Sequence, residues 1–248
     1  MVIKQLQHWF VARANAARWK PIADWAESLG GQLRVVAEGQ GFIVDMPPGR
    51  SGGAVRIEWG PSQRAYIPGH ELRIRYEARL HGDLQMMVIE QQLMEQLEGA
   101  VFEAYTDTLR TRVDTDTPEE MRWLAMFPKL TQISSKIVRT QFGVLGIARE
   151  LLHVWIEGRF SEALARVSQD LVTPGRPFVL MSMRGNLYLR MAMEEPRLND
   201  VQSLYKLCEI AVEAAERVSQ ALGDSSPWPS VPSSTTMHGT LPEPDSSQ

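Results

Sequence analysis

The sequence predicts an α+β protein, in which an antiparallel β-meander and a C-terminal β-hairpin pack against several helices and a disordered C-terminal tail follows. Apolar and polar residues alternate from residue 32 to residue 89, which is the two-residue period of a strand with one buried face. The period becomes helical from residue 93 to residue 172, and a second alternating stretch then precedes a long final helix. With 248 residues and 44% hydrophobic content, the chain can bury a core of this size.

Residues 1–20 form the first predicted element, an amphipathic helix. This segment contains cations and no acid, and its apolar residues recur at helical spacing. Two interpretations stay open. Either the helix packs on its own domain, or Leu6, Trp9, Phe10 and Arg13 contact a partner's groove or an anionic membrane surface.

A second helix is predicted to start with Pro21 and to end at the glycine pair that follows it. Five strands come next. Their connections are too short for a helical crossover, so neighbouring strands are predicted to be antiparallel. The predicted strand ranges are 32–38, 41–46, 54–59, 71–80 and 84–89.

The strand predicted over residues 71–80 alternates without a break, which places one of its faces in the core and its charged face in water. Arg56, Arg73, Arg75 and Arg79 could form a basic stripe for RNA or anionic lipid. Glutamates interrupt this stripe, and no aromatic residues accompany it for base stacking. We therefore expect the opposite charges to pair across the strands.

A helical insert is predicted over about residues 106–172. Its sharpest signal is Thr117 as an N-cap, with Pro118 at the first helical position and Glu120 completing a capping box. Pro128 is predicted to end this short helix. The insert continues with two further helices, predicted over roughly 134–157 and 159–172.

The second alternating stretch predicts a β-hairpin that turns at Arg184 and Gly185. The helix after it opens near Asn199 and stops at Gly223, and its apolar seam steps by three and four residues. Such a seam predicts close helix pairing, inside the fold or across a dimer. The seam consists of Val201, Leu204, Cys208, Ala211, Ala215, Val218 and Leu222.

Three regions are predicted for the whole chain. Residues 1–20 are the N-terminal helix, and residues 21–222 are a single α+β domain that includes the helical insert. Residues 223–248 are rich in serine and proline and poor in apolar residues, so they cannot offset the entropy of folding and are predicted to be disordered.

Residues 60–70, between the third and fourth predicted strands, hold the candidate ligand-binding residues Ser62, Arg64, Tyr66 and His70. Arg64 could grip an anionic ligand through its planar guanidinium, and His70 could act as a base toward Ser62. However, Ser62 lacks the G-x-S-x-G elbow, and no glycine-rich phosphate loop follows it. A structured hairpin connection explains the same residues. No catalytic residue is predicted.

The sequence predicts neither a metal site nor a cofactor. None of the five histidines lies at ligand spacing from another histidine, a cysteine or paired carboxylates. The acidic residues from Asp107 to Glu120 lack the glycine and the distal glutamate of a calcium loop, and the helix dipole already accounts for acids near a helix start. Cys208, the single cysteine, lies in the apolar seam and is interpreted as a core residue.

Charge and composition narrow the classes of partner. A net charge of −4 argues against nucleic acid as the main partner, because binding a phosphate backbone needs a cationic surface. A single cysteine excludes an intrachain disulfide. The start of the chain lacks the unbroken apolar core of a secretory signal, and no stretch reaches the length of a membrane-spanning helix. We therefore expect a cytoplasmic protein.

The order helix, meander, helices, hairpin, helix is similar to that of small dimeric secretion-chaperone-like α+β domains, in element order only. The leading hypothesis is a non-enzymatic interaction module, an adaptor or chaperone-like protein that binds a protein partner and forms a homodimer. One alternative is an enzyme or small anionic-ligand binder that uses the 60–70 loop. Another is a peripheral membrane-associated protein that uses residues 1–20.

Overall fold

The computed structural model describes residues 17–36, 41–48, 53–106 and 117–224. The predicted contact residues Leu6, Trp9, Phe10 and Arg13 lie outside these ranges, as do residues 225–248 of the predicted tail. Within the described ranges, no helix combines the length and the apolar content needed to cross a bilayer.

A single eight-stranded antiparallel sheet organises the described part of the chain, which confirms the predicted α+β class. The strands are β1 (Gln32–Val36), β2 (Gly41–Met46), β3 (Val55–Pro61), β4 (His70–Tyr76), β5 (Met86–Glu90), β6 (Phe142–Gly146), β7 (Phe178–Met183) and β8 (Asn186–Ala192). Their spatial order is β1-β2-β3-β4-β8-β7-β5-β6. The C-terminal hairpin therefore lies between β4 and β5, and the two alternating stretches of sequence share one sheet.

The hairpin turns at Arg184 and Gly185, as predicted. Both residues have positive φ, 51° and 79°, which is the backbone of a two-residue turn that matches the twist of the flanking strands. The fourth strand is shorter than predicted, because β4 ends at Tyr76 and the chain turns at Arg79, whose φ is 52°. A hydrogen bond from Leu80 N to the Gly185 carbonyl, at 3.0 Å, ties this segment to the hairpin.

Strand β6 corrects the prediction of continuous helix over residues 134–157. The residues FGVLG pair with β5, and all five are buried. A strand covered on both faces loses the polar–apolar alternation that marks a strand, so its pattern resembles a buried helix segment. The predicted helical insert is thus interrupted by an outer strand of the common sheet.

Helices cover the two faces of the sheet unequally. Their ranges are residues 17–28 for α1, then α2 (Gln91–Thr106), α3 (Glu119–Met126), α4 (Lys136–Gln141), α5 (Arg149–Ile156), α6 (Arg159–Asp170) and α7 (Leu198–Asp224). Helices α1, α4, α5, α6 and α7 pack on one face in the main core. Helices α2 and α3 form a second core on the other face, over β5, β6 and β7. The charged side chains of β1 to β4 lie on that second face, beyond α2 and α3.

Helix α1 runs through Pro21, whereas the sequence predicted a new helix starting there. Trp19 is buried against Phe42 and Trp59, with ring centroids 5.2 and 5.1 Å away. Burial of Trp19 on the domain core provides the physical reason why the helix continues across the predicted boundary between residues 20 and 21.

The apolar seam of α7 packs inside the fold. Its members from Val201 to Val218 are buried, and α7 contacts α5, α6, β4 and β8. The indole Nε1 of Trp155 on α5 donates a hydrogen bond to the Ala211 carbonyl at 3.1 Å. Of the two alternatives for the seam, the described structure uses it for intramolecular pairing.

Burial within this seam raises the pKa of the Cys208 thiol, so the reactive thiolate is suppressed. We expect Cys208 in the folded protein to react with iodoacetamide at least about 100-fold more slowly than in the unfolded chain. Mass spectrometry can follow this rate, and the measurement is unambiguous because the chain has one cysteine. Equal rates with and without denaturant would contradict the buried position.

Candidate functional site

The β3–β4 connection, residues 62–69, is closed by its own hydrogen bonds. Ser62 N donates to the Gly69 carbonyl at 3.0 Å, and Ile67 N donates to the Arg64 carbonyl at 3.0 Å. Gly69 has a φ of 64°, which favours glycine, and Ile67 is buried. The connection is therefore a structured turn that fixes the directions of its polar side chains.

Arg64 and Tyr66 meet at a buried carboxylate from α3. The Oε1 atom of Glu120 accepts hydrogen bonds from Tyr66 Oη at 2.9 Å and from Arg64 Nε at 3.2 Å. Only 1% of the Glu120 side chain is exposed. These contacts join the β3–β4 connection to α3 across the second face of the sheet.

Glu120 corrects the predicted capping box. The structure places Pro118, not Thr117, at the N-cap of α3, and no side-chain capping hydrogen bond is formed there. The N-cap prediction was wrong by one residue, and the glutamate assigned to the box is instead committed to Arg64 and Tyr66. A paired and hydrogen-bonded carboxylate is the form in which a buried glutamate is stable.

The electrostatics of this group favour donation toward Glu120. Burial, reinforced by the Glu120 carboxylate, raises the pKa of the Tyr66 phenol far above its ordinary value, so the phenol stays protonated. Burial opposes the charge of Arg64, but the attraction of Glu120 prevails and raises the pKa of its guanidinium. Glu120 thus engages the Nε–H group of Arg64, while 26% of the Arg64 side chain is exposed.

Ser62 and His70 do not join Arg64 and Tyr66. The Ser62 hydroxyl lies 3.0 Å from the Arg64 carbonyl and donates to it within the turn. The His70 ring stacks on Trp59 of the main core at 4.9 Å, and its Nδ1 lies 3.8 Å from a carboxylate oxygen of Glu194. The described side chains of Ser62 and His70 form no hydrogen bond with each other, so the four candidate residues do not converge on one site.

A second buried carboxylate, Glu71 on β4, lies on the same face as Glu120. Its Oε1 accepts from Arg73 Nη1 and Arg190 Nη1, both at 2.9 Å, and from Gln63 N at 3.0 Å. Glu71 is fully buried, and the two arginine side chains are 17% and 20% exposed. The prediction that this charged face lies in water was therefore wrong near β8.

Glu71 belongs to a chain of alternating charges that crosses five strands. Successive members are joined by N–O distances between 2.8 and 3.7 Å, which supports the prediction of opposite-charge pairing across the sheet. Exposure falls from 56% at the β1 end to zero at Glu71. In order across the sheet, the members are Arg34, Asp45, Arg56, Glu58, Arg73, Glu71 and Arg190.

A cleft of about 690 Å³ lies elsewhere, between α6 and α7. Apolar residues line it together with charged residues of both signs, including Arg166, Asp170, Asp200 and Lys206. Among the described residues, no group of three or more histidine, cysteine, aspartate or glutamate side chains is placed to hold a metal ion. The acidic residues Asp107, Asp114 and Asp116 of the sequence lie outside the described ranges.

Sequence reasoning missed two participants of the polar clusters, Glu120 as an interior partner and Arg190 on β8. Glu120 had a local explanation as a cap, and Arg190 stands in an ordinary alternating strand. The available signal was the placement of an arginine and a tyrosine, two residues apart, in a short connection. Both have long side chains that can reach a neighbouring element.

No protein-family model matches the chain, and no curated protein matches it in sequence. Among solved structures, the chain is similar to the crystal structure of the mycobacterial trehalose monomycolate transport factor A, TtfA. The TM-score is 0.41 and the sequence identity 11%, over 83% of this chain and 94% of that chain. A likeness at this level assigns neither a family nor a function.

Proposed function

We propose that the protein is a non-enzymatic interaction protein, which takes an extended segment of a partner protein as an additional strand beside β1. The observation that carries this proposal is a difference in backbone pairing between the two outer strands of the sheet, β1 and β6. One outer edge is covered by the chain itself, and the other is left open among the described residues.

The covered edge is that of β6. Lys129 forms a β-bridge with Leu145, Leu130 N donates to the Val144 carbonyl at 2.8 Å, and Gly146 N donates to the Pro128 carbonyl at 3.3 Å. Residues 128–130 thereby occupy backbone groups that would otherwise pair with another chain. Proteins commonly protect outer strands in this way.

The open edge is that of β1, which within the described ranges pairs only with β2. Its five residues contain no proline, and its one charged residue, Arg34, turns toward Asp45 at 3.6 Å. Val35 is 40% exposed on the strand, and Leu29 is 47% exposed just before it. An unprotected strand flanked by exposed apolar side chains is the surface that strand addition uses.

The chemistry of β1 indicates what the partner segment looks like. Main-chain hydrogen bonds supply affinity without reading sequence, while alternate side chains face opposite sides of the sheet. On one side we expect an apolar residue beside Val35. On the other side we expect a carboxylate beside Arg34, whose side chain is 56% exposed. Arg34 faces Asp45 through Nε, and a guanidinium has further N–H donors that can bind a second carboxylate.

A non-enzymatic role is supported by the state of the polar residues. The arginine and tyrosine donors of the β3–β4 connection are directed to Glu120, and those of β4 and β8 to Glu71. Each glutamate accepts these hydrogen bonds at its Oε1 atom, and the arginine partners hold both carboxylates in buried ion pairs that stabilise the fold. The nucleophile candidate Ser62 is likewise engaged within its own turn.

Selection from a displayed library of random peptides tests the proposal. We expect the full chain to enrich peptides with alternating apolar residues, and Val35→Lys to weaken their binding by about tenfold or more, because a lysine on an outer strand opposes pairing. The matched control is Val154→Lys, which changes an exposed valine (54%) on α5. Peptides that bind the Val35→Lys variant as well as the unmodified chain would contradict strand addition at β1.

Size-exclusion chromatography with light scattering separates this proposal from self-association. A monomer that binds the selected peptides supports a partner protein as the occupant. A dimer that Val35→Lys dissociates would instead assign the open edge to a second copy of the chain, in line with the predicted homodimer.

A further inference from the structure

The cleft between α6 and α7 combines buried apolar side chains with exposed charged ones. Its volume of about 690 Å³ falls within the range of pockets that hold small ligands, roughly 300–1,000 Å³. The buried apolar residues that line it are Ala163, Val167, Leu171, Leu207 and Ile210. Arg166, Asp170 and Lys206 line the same cleft and are exposed. A molecule in this cleft would therefore contact both kinds of side chain.

The two helices run antiparallel along the cleft. Arg159 at the start of α6 pairs with Glu213 of α7 at 3.1 Å. The end of α6 instead lies near the start of α7, because Arg176 contacts both: its Nη1 donates to the Leu171 carbonyl at 3.0 Å. Burial lowers the pKa of the Arg176 guanidinium, and the attraction of Asp200 opposes that shift, which places Asp200 nearby. The last residues of α6 and the first of α7 thus form one end of the cleft.

Charges of opposite sign lie at opposite ends of this cleft. Asp170 and Asp200 stand where α6 ends and α7 begins. Arg166 lies four residues before Asp170, and Lys206 lies six residues after Asp200, so both cations are displaced toward the other end. At a rise of 1.5 Å per residue, cation and acid are about 6 Å apart along α6 and about 9 Å apart along α7.

Two of these four charges have partners elsewhere in the protein. Lys206 Nζ lies 2.9 Å from a carboxylate oxygen of Glu209, and Asp200 attracts the guanidinium of Arg176. Neither Glu209 nor Arg176 lines the cleft, so these two charges are offset from outside it. The excess charge at each end is therefore that of Arg166 and of Asp170.

Arg166 and Asp170 have no ion-pair partner within the described ranges, although they stand one turn apart on the same helix. Arg166 Nε donates to the Glu162 carbonyl at 3.3 Å, which leaves the two Nη groups as donors. Asp170 is the last residue of α6, where helix carbonyls add partial negative charge. An anionic group is therefore favoured at one end of the cleft and a cationic group at the other.

We propose that the α6–α7 cleft binds a small zwitterion with an apolar body, of the length of a tripeptide. The anionic group of the ligand meets Arg166 and Lys206, and its cationic group meets Asp170 and Asp200. The body between them covers the aliphatic side chains of the cleft. An extended tripeptide spans at most about 10 Å, which matches the spacing of the two charged ends. This site is separate from β1 and does not depend on the strand-addition proposal.

The surface around the cleft favours a small ligand over a helix of a partner protein. A docked helix buries a continuous apolar stripe against its groove. In the part of the chain that the structure describes, the large apolar side chains that are exposed lie on other elements, and α6 and α7 expose none. The apolar contacts that these two helices offer are thus confined to the cleft itself.

Isothermal titration calorimetry of the full chain with two peptides tests the proposal. Alanyl-leucyl-alanine has both terminal charges, and its N-acetylated, C-amidated form has the same body without them. We expect the charged peptide to bind about 25-fold more tightly, or about fivefold for each charge, which is the upper contribution of an exposed ion pair. Added salt should reduce this difference. Equal affinities, or no binding of the charged peptide at several millimolar, would overturn the proposal.

Two substitutions assign the ends of the ligand. Asp170→Asn should weaken binding of the charged peptide about fivefold but leave binding of the N-acetylated peptide unchanged, because that peptide has no ammonium group. Arg166→Gln should act in the same way on the charged and the C-amidated peptide. Both side chains are exposed, so the unfolding midpoint should not change.

The matched controls are Arg159→Gln and Glu162→Gln, which remove exposed charges on α6 outside the cleft and should bind as the unmodified chain does. Cleft variants that bind the charged peptide as tightly as these controls would place the ligand elsewhere and overturn the assignment.

Discussion

Replacing Glu71 by alanine is expected to lower the free energy of unfolding by about 3–5 kcal/mol, the cost of removing one partner from a buried ion pair. Glu71 is fully buried and accepts hydrogen bonds from Arg73, Arg190 and the Gln63 backbone. Without the carboxylate, two mostly buried guanidinium groups and one backbone donor lose their acceptor. Denaturant unfolding with an unchanged m-value measures the loss as a shift of the midpoint.

Glu77→Ala is the matched control for this experiment. Glu77 is also a glutamate beside the charged side of β4 and pairs with Arg75, but these side chains are 53% and 51% exposed. A surface pair contributes about 0–1 kcal/mol, so this variant should unfold close to the unmodified protein. Equal effects of the two substitutions would show that burial of Glu71 does not govern its contribution.

The burial of Glu71 shows which features of the sheet could be predicted from the sequence and which could not. Alternation along β4 predicted correctly which residues share a face, and short connections predicted antiparallel neighbours. Alternation reports only the side on which a residue stands, and what covers that side depends on contacts distant in the chain. Glu71 is covered because β8, more than 100 residues later, pairs with β4 and brings Arg190 beside it.

Strand β6 is a second feature that the local sequence pattern could not predict, here because the strand is buried on both faces. Its residues are apolar on both faces, since the main core lies on one side and α2 and α3 lie on the other. A short apolar run with two glycines and helical neighbours carries no period that distinguishes a strand from a helix. Its assignment depends on pairing with β5, which only the tertiary structure supplies.

Of the candidate site, the sequence located the connection but not its partner. Arg64 and Tyr66 were identified by residue type within a turn, and the structure brings both to Glu120. Glu120 had a sufficient local role, the capping box, and the competing role formed across 54 residues of chain. Local helix signals fix where α3 starts to within one residue, but they cannot report that its first turn faces the interior.

Replacing Glu120 by alanine is expected to lower the free energy of unfolding by about 3 kcal/mol. The lower part of the range for a buried pair applies because Arg64 keeps 26% exposure and can turn toward water, whereas Tyr66 would lose the acceptor for its buried hydroxyl. Glu119→Ala is the matched control. Glu119 precedes Glu120 in the chain, is 28% exposed and pairs with Arg122 on the helix surface. The loss of the Glu119 carboxylate should therefore lower the free energy of unfolding by well under half as much.

A double-mutant cycle shows whether Glu120 stabilises the protein by tying α3 to the β3–β4 connection. If it does, Tyr66→Phe should destabilise the unmodified protein by about 1 kcal/mol or more and the Glu120→Ala variant by much less, because the hydroxyl has no carboxylate left to donate to. Additive effects would mean that Tyr66 and Glu120 act independently despite their 2.9 Å contact. A coupled result would make this carboxylate the link that fixes the second core to the charged side of the sheet, since Tyr66 packs against that core while Arg64 extends from the same turn.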